Sequence, residues 1–444
     1  MNKNFLHIIK IPEYYNYKNC GYNELKDYYK SDKLINDISL LINKWLPEEE
    51  ICNKKVLIKP NWVKHSTRQS DEYVLRTNDN FLLAVLNAII EMKPAEIIIG
   101  DAPIQGCIWE NMLSKGFLDE INNIVRRKNI PVQIKDFRRR KYIVSENKPQ
   151  VDIMPLSDYV IFNLGRNSYL EAITSKGKTR FRVTNYDSAK MTFAHSPGVN
   201  KYCIAKDFFN ADTVISLPKI KTHQKTGITG ALKNLVGING DKDFLPHHRL
   251  GGTKKGGDCY PGGSELRYLS ELALDKANRN QGQKSFWLWQ KLSSLLWRLS
   301  FPGPEHQISA GWYGNDTTWR MVLDLNRIAE FGRPDGTIAE EKQRQIYSMC
   351  DAIIAGQGDG PLDPQPLPLG IISFTNNSVI NDRAMAVLMG LPTEKIPILN
   401  RTGSNEDICD ITLNGKKIQL NDLKPYARKA TPPRGWINYF KETK

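Results

Sequence analysis

The sequence predicts an α/β fold: a largely parallel sheet flanked by helices, with a mostly helical insertion in the middle of the chain. Three observations carry this. Short, nearly continuous apolar runs recur, among them Val56-Leu57-Ile58, Ile97-Ile98-Ile99 and Val214-Ile215, as expected of strands covered on both faces. Stretches with apolar residues at helical spacing separate those runs. Glycine, proline and polar residues then gather directly behind several of the runs, where strands of such folds end.

In chain order, the first residues read as an irregular arm. A helix follows, with Leu34, Ile35, Ile38, Leu41, Ile42 and Trp45 as its apolar stripe. Val56–Ile58 is a strand, Phe81–Met92 a helix, and Glu96–Ile99 a strand running into Gly100-Asp101. Gly116–Arg127 reads as a helix, and Val132–Ile134, Tyr159–Phe162 and Thr213–Leu217 as strands. Beyond the glycine-rich stretch Leu250–Gly263 the pattern turns helical: Ser264–Arg279, a Trp-rich segment at 286–299, and Trp319–Ile328. Ala352–Ala355 and Gly370–Phe374 resume the strands, and Ile380–Leu388 is a helix. Asp410–Leu413 turns through Asn414-Gly415 into Lys416–Ile418, a hairpin signal. The division expected is an N-terminal arm and helix over 1–50 and an α/β core with a Lys/His-rich site over 51–263. A helical insertion over 264–345 and a C-terminal α/β part over 346–444, completing the core, follow.

The 444 residues are 40% hydrophobic and 25% charged, as in ordinary globular proteins, with a net charge of +14. That balance favours anionic partners without choosing among them. The run Arg138-Arg139-Arg140-Lys141 reads as decoration of a strand end. Seven scattered cysteines include no C-x-x-C pair, so the chain has no iron–sulfur cluster motif and no zinc ribbon. With no secretory pattern at Met1–Leu6, a cytoplasmic location is expected. Segment 286–299, interrupted by Lys291 and Arg298, is shorter than the ~20 apolar residues of a spanning helix. Burial of its tryptophans is the favoured reading and contact with a membrane surface the other.

Four polar sets follow strand ends, where sites of α/β sheets form. In Lys59-Pro60-Asn61, proline stops the strand and leaves a lysine needing either a carboxylate or a substrate anion. In Gly100-Asp101, the aspartate can ligate a metal, act as a base or cap a helix. The third set is the strongest: Pro218-Lys219-Ile220-Lys221-Thr222-His223, then Lys225-Thr226-Gly227-Ile228-Thr229-Gly230 and a helix beginning near Thr229 or Gly230 that carries Lys233 and Asn234. Exposed amides, glycines and a helix N-terminus attract anions. The fourth set holds Asp241, Asp243, His247, His248, Arg249 and Asp258. Neighbouring histidines cannot both face one metal from a regular strand, so His247 and His248 are expected to do different jobs. Asp359, in a glycine-rich turn, competes between function and turn-making, and Asn376, Asn377, Asn381 and Asp382 between function and helix capping.

Lys59-Pro60-Asn61, Gly100-Asp101, Leu217–His223 with Thr229–Asn234, and Asp359-Gly360-Pro361, in this order, resemble the domain of unknown function 362 family. The resemblance runs from Val56 to Leu391. Some members of that family carry an added ferredoxin module; this chain lacks its cysteines, so the redox label that goes with the module is not expected to transfer. The resemblance implies no settled reaction.

The leading expectation is an enzyme acting on a phosphorylated or carboxylated small molecule by transfer, lyase or isomerase chemistry. Lys59, Asn61, Lys219, Lys221, Thr226, Gly227, Thr229, Gly230, Lys233, Asn234 and Arg249 would bind the anion. His223 or His248 would move a proton, and Asp101 or Asp359 would orient a hydroxyl or metal. A metal-dependent redox or racemase enzyme using His223, His247, His248 and nearby aspartates, with a divalent metal on His247 and Asp258, is the second expectation. A non-catalytic binder of nucleic acid or anionic membrane is the third, with nucleic acid disfavoured because the lysines gather in one turn-rich site.

Overall fold

The computed structural model describes residues 4–11, 21–145, 148–174, 180–184, 186–281, 283–300, 309–401 and 409–441. Its centre is an 11-stranded mixed sheet, mostly parallel. The strands are β1 (Asn4–Lys10), β2 (Lys55–Pro60), β3 (Glu96–Asp101), β4 (Val132–Asp136), β5 (Thr213–Leu217), β6 (Lys219–His223), β7 (Gly227–Thr229), β8 (Gln345–Asp359), β9 (Asp363–Thr375), β10 (Cys409–Leu413) and β11 (Lys416–Lys417). Their order is β11-β10-β1-β9-β8-β5-β2-β3-β4, with β6 paired to β8 and β7. Strands β8, β5, β2, β3 and β4 run parallel, so their carboxyl ends lie along one rim.

The continuous apolar runs have a plain cause. Leu57, Ile98 and Val214 enter one hydrophobic core, while Val56, Ile58, Ile97, Ile99, Ile215 and Leu217 enter a second core. Alternate side chains point to opposite faces of a strand, so a strand covered twice has no polar face. Helices α1 (Asp32–Trp45), α2 (Asp79–Glu91) and α3 (Lys115–Lys128) feed the second core; α7 (Thr318–Phe331) and α8 (Ser378–Leu388) feed the first. Between α3 and α7 lie α4 (Ala231–Asn234), α5 (Glu265–Arg279) and α6 (Ser285–Leu299). Asn377 caps α8 by accepting the amides of Val379 and Ile380, the structural one of its two expected roles.

Four differences from the sequence reading have physical reasons. The arm contains β1, inserted between β9 and β10; its few apolar residues are too short a run to distinguish a strand from a tail. The segment after Pro218 is no irregular turn but a strand pair, β6–β7, in which Lys219 and Lys221 alternate with Ile220. Tyr159–Asn163 joins a small antiparallel sheet with Val199–Ala205 and His195–Ser196 instead of the main one. Helix α6 is not buried: Trp287 is 64% and Leu288 66% exposed, and Leu292, Leu295 and Leu299 also face outward.

Candidate functional site

At the rim where β2 and β3 end, Lys59 Nζ lies 2.8 Å from Asp101 Oδ1, and both side chains are buried. Asp101 also accepts the Trp62 amide at 2.7 Å and the Ala102 amide at 2.8 Å. Its carboxylate therefore serves as the counter-charge of Lys59 and as acceptor for two backbone amides. Gly237 closes over the pair; a Cβ there would stand 1.7 Å from Asp101 Oδ1. Asn234 ties the ends together, donating to Ser216 Oγ and to the Lys59 carbonyl and accepting from Asn61.

Strand β6 carries two buried lysines with different partners. Lys219 Nζ sits 2.9 Å from Asp351 Oδ1 and 3.0 Å from the Tyr29 hydroxyl, which itself donates to Asp351. Lys219 is thus a structural ion pair. Lys221 Nζ reaches only neutral acceptors, Asn61 Oδ1 at 3.0 Å and the Leu75 carbonyl at 2.5 Å. Burial, then the charges of Lys219 and Lys233, push its pKa well below the ordinary lysine value. Across the strand pair Lys221 is in register with Thr229, whose buried hydroxyl has no hydrogen-bond partner among the described residues.

The turn that follows does not offer its amides outward. The Lys225 and Thr226 amides donate to His223 Nδ1 at 3.0 and 3.2 Å. The Thr226 hydroxyl donates to the Ile228 carbonyl. Gly227 adopts φ +80°, beside Ile396 and Trp436. The start of α4 is occupied from within: Asp382 accepts the amides of Ala231 and Leu232 at 2.6 and 3.0 Å. Gly230 is glycine because a Cβ would lie 2.1 Å from Asp382 Oδ1. The expectation that the turn amides, Thr226 and the helix N-terminus hold the substrate anion is corrected accordingly, since internal acceptors already occupy them, while the Thr229 hydroxyl stays unpartnered among the described residues. Burial raises the Asp382 carboxyl to about 6.

What remains unmatched is a group of cations beside this frame. Among the described residues, neither Lys225 nor Lys233 has a carboxylate within ion-pair distance or a hydrogen-bond acceptor for its ammonium. Lys242 donates only to the carbonyls of Ala102 and Asn239. Burial lowers Lys225 to about 8, against the weaker pull of Cys259, Asp258 and Glu271. Burial, with repulsion from Lys242 and Lys225, lowers Lys233 to about 7. Lys242 falls to about 8, again chiefly by burial. It also lines a cavity of about 310 Å³ with Arg138, Arg140, Lys190 and Arg279, as well as Asp187 and Asp243. A cavity of about 420 Å³ near Phe5, Trp45 and Tyr347 is larger, but it is walled by aromatic rings and lies away from the lysines.

Two imidazoles share this environment. His223 accepts at Nδ1, so in the neutral ring the proton sits on Nε2. His247 does the reverse: Nδ1 lies 2.8 Å from the Leu245 carbonyl and must carry the proton, which leaves Nε2 a bare lone pair. Burial first, then nearby lysines, hold both rings well below the usual histidine pKa, and Lys225 and Lys233 act on both.

The other expected site residues sit elsewhere or serve the frame. Asp359 binds the Arg434 amide and guanidinium, pinning the C-terminal segment. Asp258 accepts from the Arg249 amide, the Asp316 amide and the Thr317 hydroxyl, and pairs with the Arg249 guanidinium. Asp258 is thus taken up by these internal partners, whereas Arg249 meets it only through Nε at 3.5 Å. His248 turns away from its neighbour toward Glu271. The basic run is likewise internal: Arg138 pairs with Asp136, Arg139 with Asp241 and Arg140 with Asp243.

Sequence reasoning left Lys225 outside the ligand set and did not select Lys242, Gly237, Tyr29 or Asp351. The glycine at 237 gave a signal, lying between apolar residues without a turn partner. Nothing local marked the others.

The family model described as Domain of unknown function (DUF362) matches residues 164–387. No curated protein matches the chain. A crystal structure of a Thermotoga maritima protein superposes with a TM-score of 0.34 at 7% identity, covering 78% of this chain. This chain spans 55% of that one, and a likeness so slight carries no argument about the site.

Proposed function

The chain belongs to the DUF362 family, and we propose that this member is an enzyme acting on a phosphorylated or carboxylated small molecule by transfer, lyase or isomerase chemistry. One observation carries the reading. The lysines here fall into two classes: buried Lys59 and Lys219 each have a buried aspartate, whereas, among the described residues, buried Lys221 and half-buried Lys225, Lys233 and Lys242 have none within ion-pair distance. Desolvating an ammonium without a counter-charge is costly. A fold that neutralises some lysines and not their neighbours is organised to receive the missing charge from a ligand.

In this reading Lys225, Lys233 and the spare donor of Lys221 hold the anion, and the Thr229 hydroxyl adds a neutral donor. Lys242 adds a further positive charge that draws the ligand in. The lone pair on His247 takes a proton from the substrate, and the Nε2–H of His223 donates to the oxygen where charge develops. Both imidazoles must be neutral for this, which is what burial and the surrounding ammonium groups favour. The family match sets no reaction, and the roles rest on the tautomers and charges alone.

The test is calorimetric titration with pyrophosphate, citrate and an uncharged sugar. Heats from at least one anion and none from the sugar are expected; no anion binding at low ionic strength would end the proposal.

A second reading concerns α6. Its outward Leu288, Leu292, Leu295 and Leu299 follow helical spacing, with Trp287, Lys291 and Arg298 beside them. Among the described residues, no helix is long and apolar enough to cross a membrane. An amphipathic face with aromatic and basic residues suits the surface of an anionic bilayer, and we infer that α6 docks the protein there.

A further inference from the structure

His247 and His248 are adjacent, yet they belong to different surroundings. His248 faces Cys259 and Glu271, and one ligand atom from each of the three lies within 4.8 Å of the others. The geometry points to a divalent-metal site made by His248, Cys259 and Glu271, distinct from the anion site and resting on none of its residues.

The three groups come from separate places. His248 lies on a short strand paired with Arg182, Cys259 in the glycine-rich loop, and Glu271 in the middle of α5. All are buried, at 3%, 2% and 6% exposure. A glutamate on the inner face of a helix needs a reason. Here Glu271 Oε2 accepts the Gly251 amide at 2.8 Å, which fixes the carboxylate, but Oε1 has no hydrogen-bond partner among the described residues. His248 Nδ1 is equally unpartnered and buried. The contact of His248 Nε2 with Glu271 Oε1, at 3.4 Å, is longer than a hydrogen bond of this kind. With His248 turning Nε2 toward Glu271 and the Cys259 thiol, 2.9 Å from Ser309 Oγ, beside them, three buried donor groups converge where a metal ion would join them.

The donor set selects the ion. One imidazole nitrogen, one thiolate and one carboxylate are a borderline-soft set suited to Zn²⁺ or Co²⁺ rather than Mg²⁺ or Ca²⁺, and three protein ligands leave a fourth position for water or another oxygen donor. On binding, the metal replaces the Cys259 thiol proton, and that of Glu271 when it is protonated, and both protons leave to solvent. The bound charge is then balanced by thiolate and carboxylate, which lets it sit near Lys225.

The experiment is a Co²⁺ titration of the full chain after treatment with a chelator, in phosphate-free buffer so that no anion is involved. The expected result is a thiolate-to-cobalt charge-transfer band in the near ultraviolet that saturates at a single equivalent and is abolished by Zn²⁺. Cys259→Ser should remove the band, while Cys52→Ser, at a half-buried free cysteine, should leave it. Should Cys259→Ser fail to fold by circular dichroism, Glu271→Gln serves instead, with Co²⁺ affinity expected to fall at least about tenfold. Absence of a thiolate band at saturating Co²⁺, or its survival in folded Cys259→Ser, overturns the site. Unchanged Co²⁺ affinity in Glu271→Gln does so too. Because no anion is present, none of these outcomes bears on the lysine site.

Discussion

His223 and His247 are held in opposite tautomers: the first accepts two backbone amides at Nδ1, the second faces a carbonyl through the same atom. One ring therefore presents an N–H and the other a lone pair, each at Nε2. Nitrogen-15 spectra of the imidazoles should show the two opposite patterns, with neither ring protonated as pH falls to 6. Identical tautomers, or titration of either ring near the ordinary value of about 6.5, would contradict the acid and base roles.

The Lys59–Asp101 pair is expected to matter for stability, not for ligand recognition. Asp101→Asn strands a buried ammonium and should cost about 3–5 kcal/mol in urea unfolding. Gly237→Ala should be destabilising too, because its methyl group overlaps Asp101 Oδ1. The double replacement Lys59→Met with Asp101→Leu should recover much of the loss. A milder effect than about 1 kcal/mol for Asp101→Asn would show that the pair is not as dry as its burial indicates.

The uncompensated lysines give the ligand-free protein a particular pH dependence. Lys233 stands at about 7, and Lys225 and Lys242 at about 8, against about 10.4 for an unfolded lysine. Between those limits the unfolded chain binds more protons, so stability from these groups rises with pH from about 7 to 10. A bound anion restores the folded-state pKa values and should flatten that slope. Thermal melts across this range, with and without pyrophosphate, check both signs; a falling ligand-free contribution would be wrong for this account.

If α6 rests on lipid, the protein should float with anionic vesicles, and Leu288→Asp with Leu295→Asp should abolish flotation without altering the fold. Flotation that is unchanged in the double variant would remove the helix from that role.

The parts of this molecule legible from sequence are those fixed by local pattern. Strands β2, β3 and β5 announce themselves because both faces are covered, and the strand-end position of Lys59, Lys219 and His223 follows from where the apolar runs stop. The division of labour among the lysines was not legible. Lys219 and Lys221 look alike in Lys-Ile-Lys, yet one meets Asp351 and Tyr29 and the other meets neither; those partners lie far off in the chain and leave no local trace. Asp382 similarly hides its role, because the helix it caps is not the one it belongs to. Glu271 reads as a solvated residue of a charged helix until α5 is placed against the glycine-rich loop.

The most direct measurement is pyrophosphate affinity and melting temperature for Lys233→Met. Removing a half-buried ammonium that has no carboxylate partner among the described residues should leave the ligand-free melting temperature unchanged or raise it. Losing one charge-assisted contact should weaken binding about ten- to a hundredfold. Full affinity in the folded variant would contradict the claim that these lysines await a negative ligand.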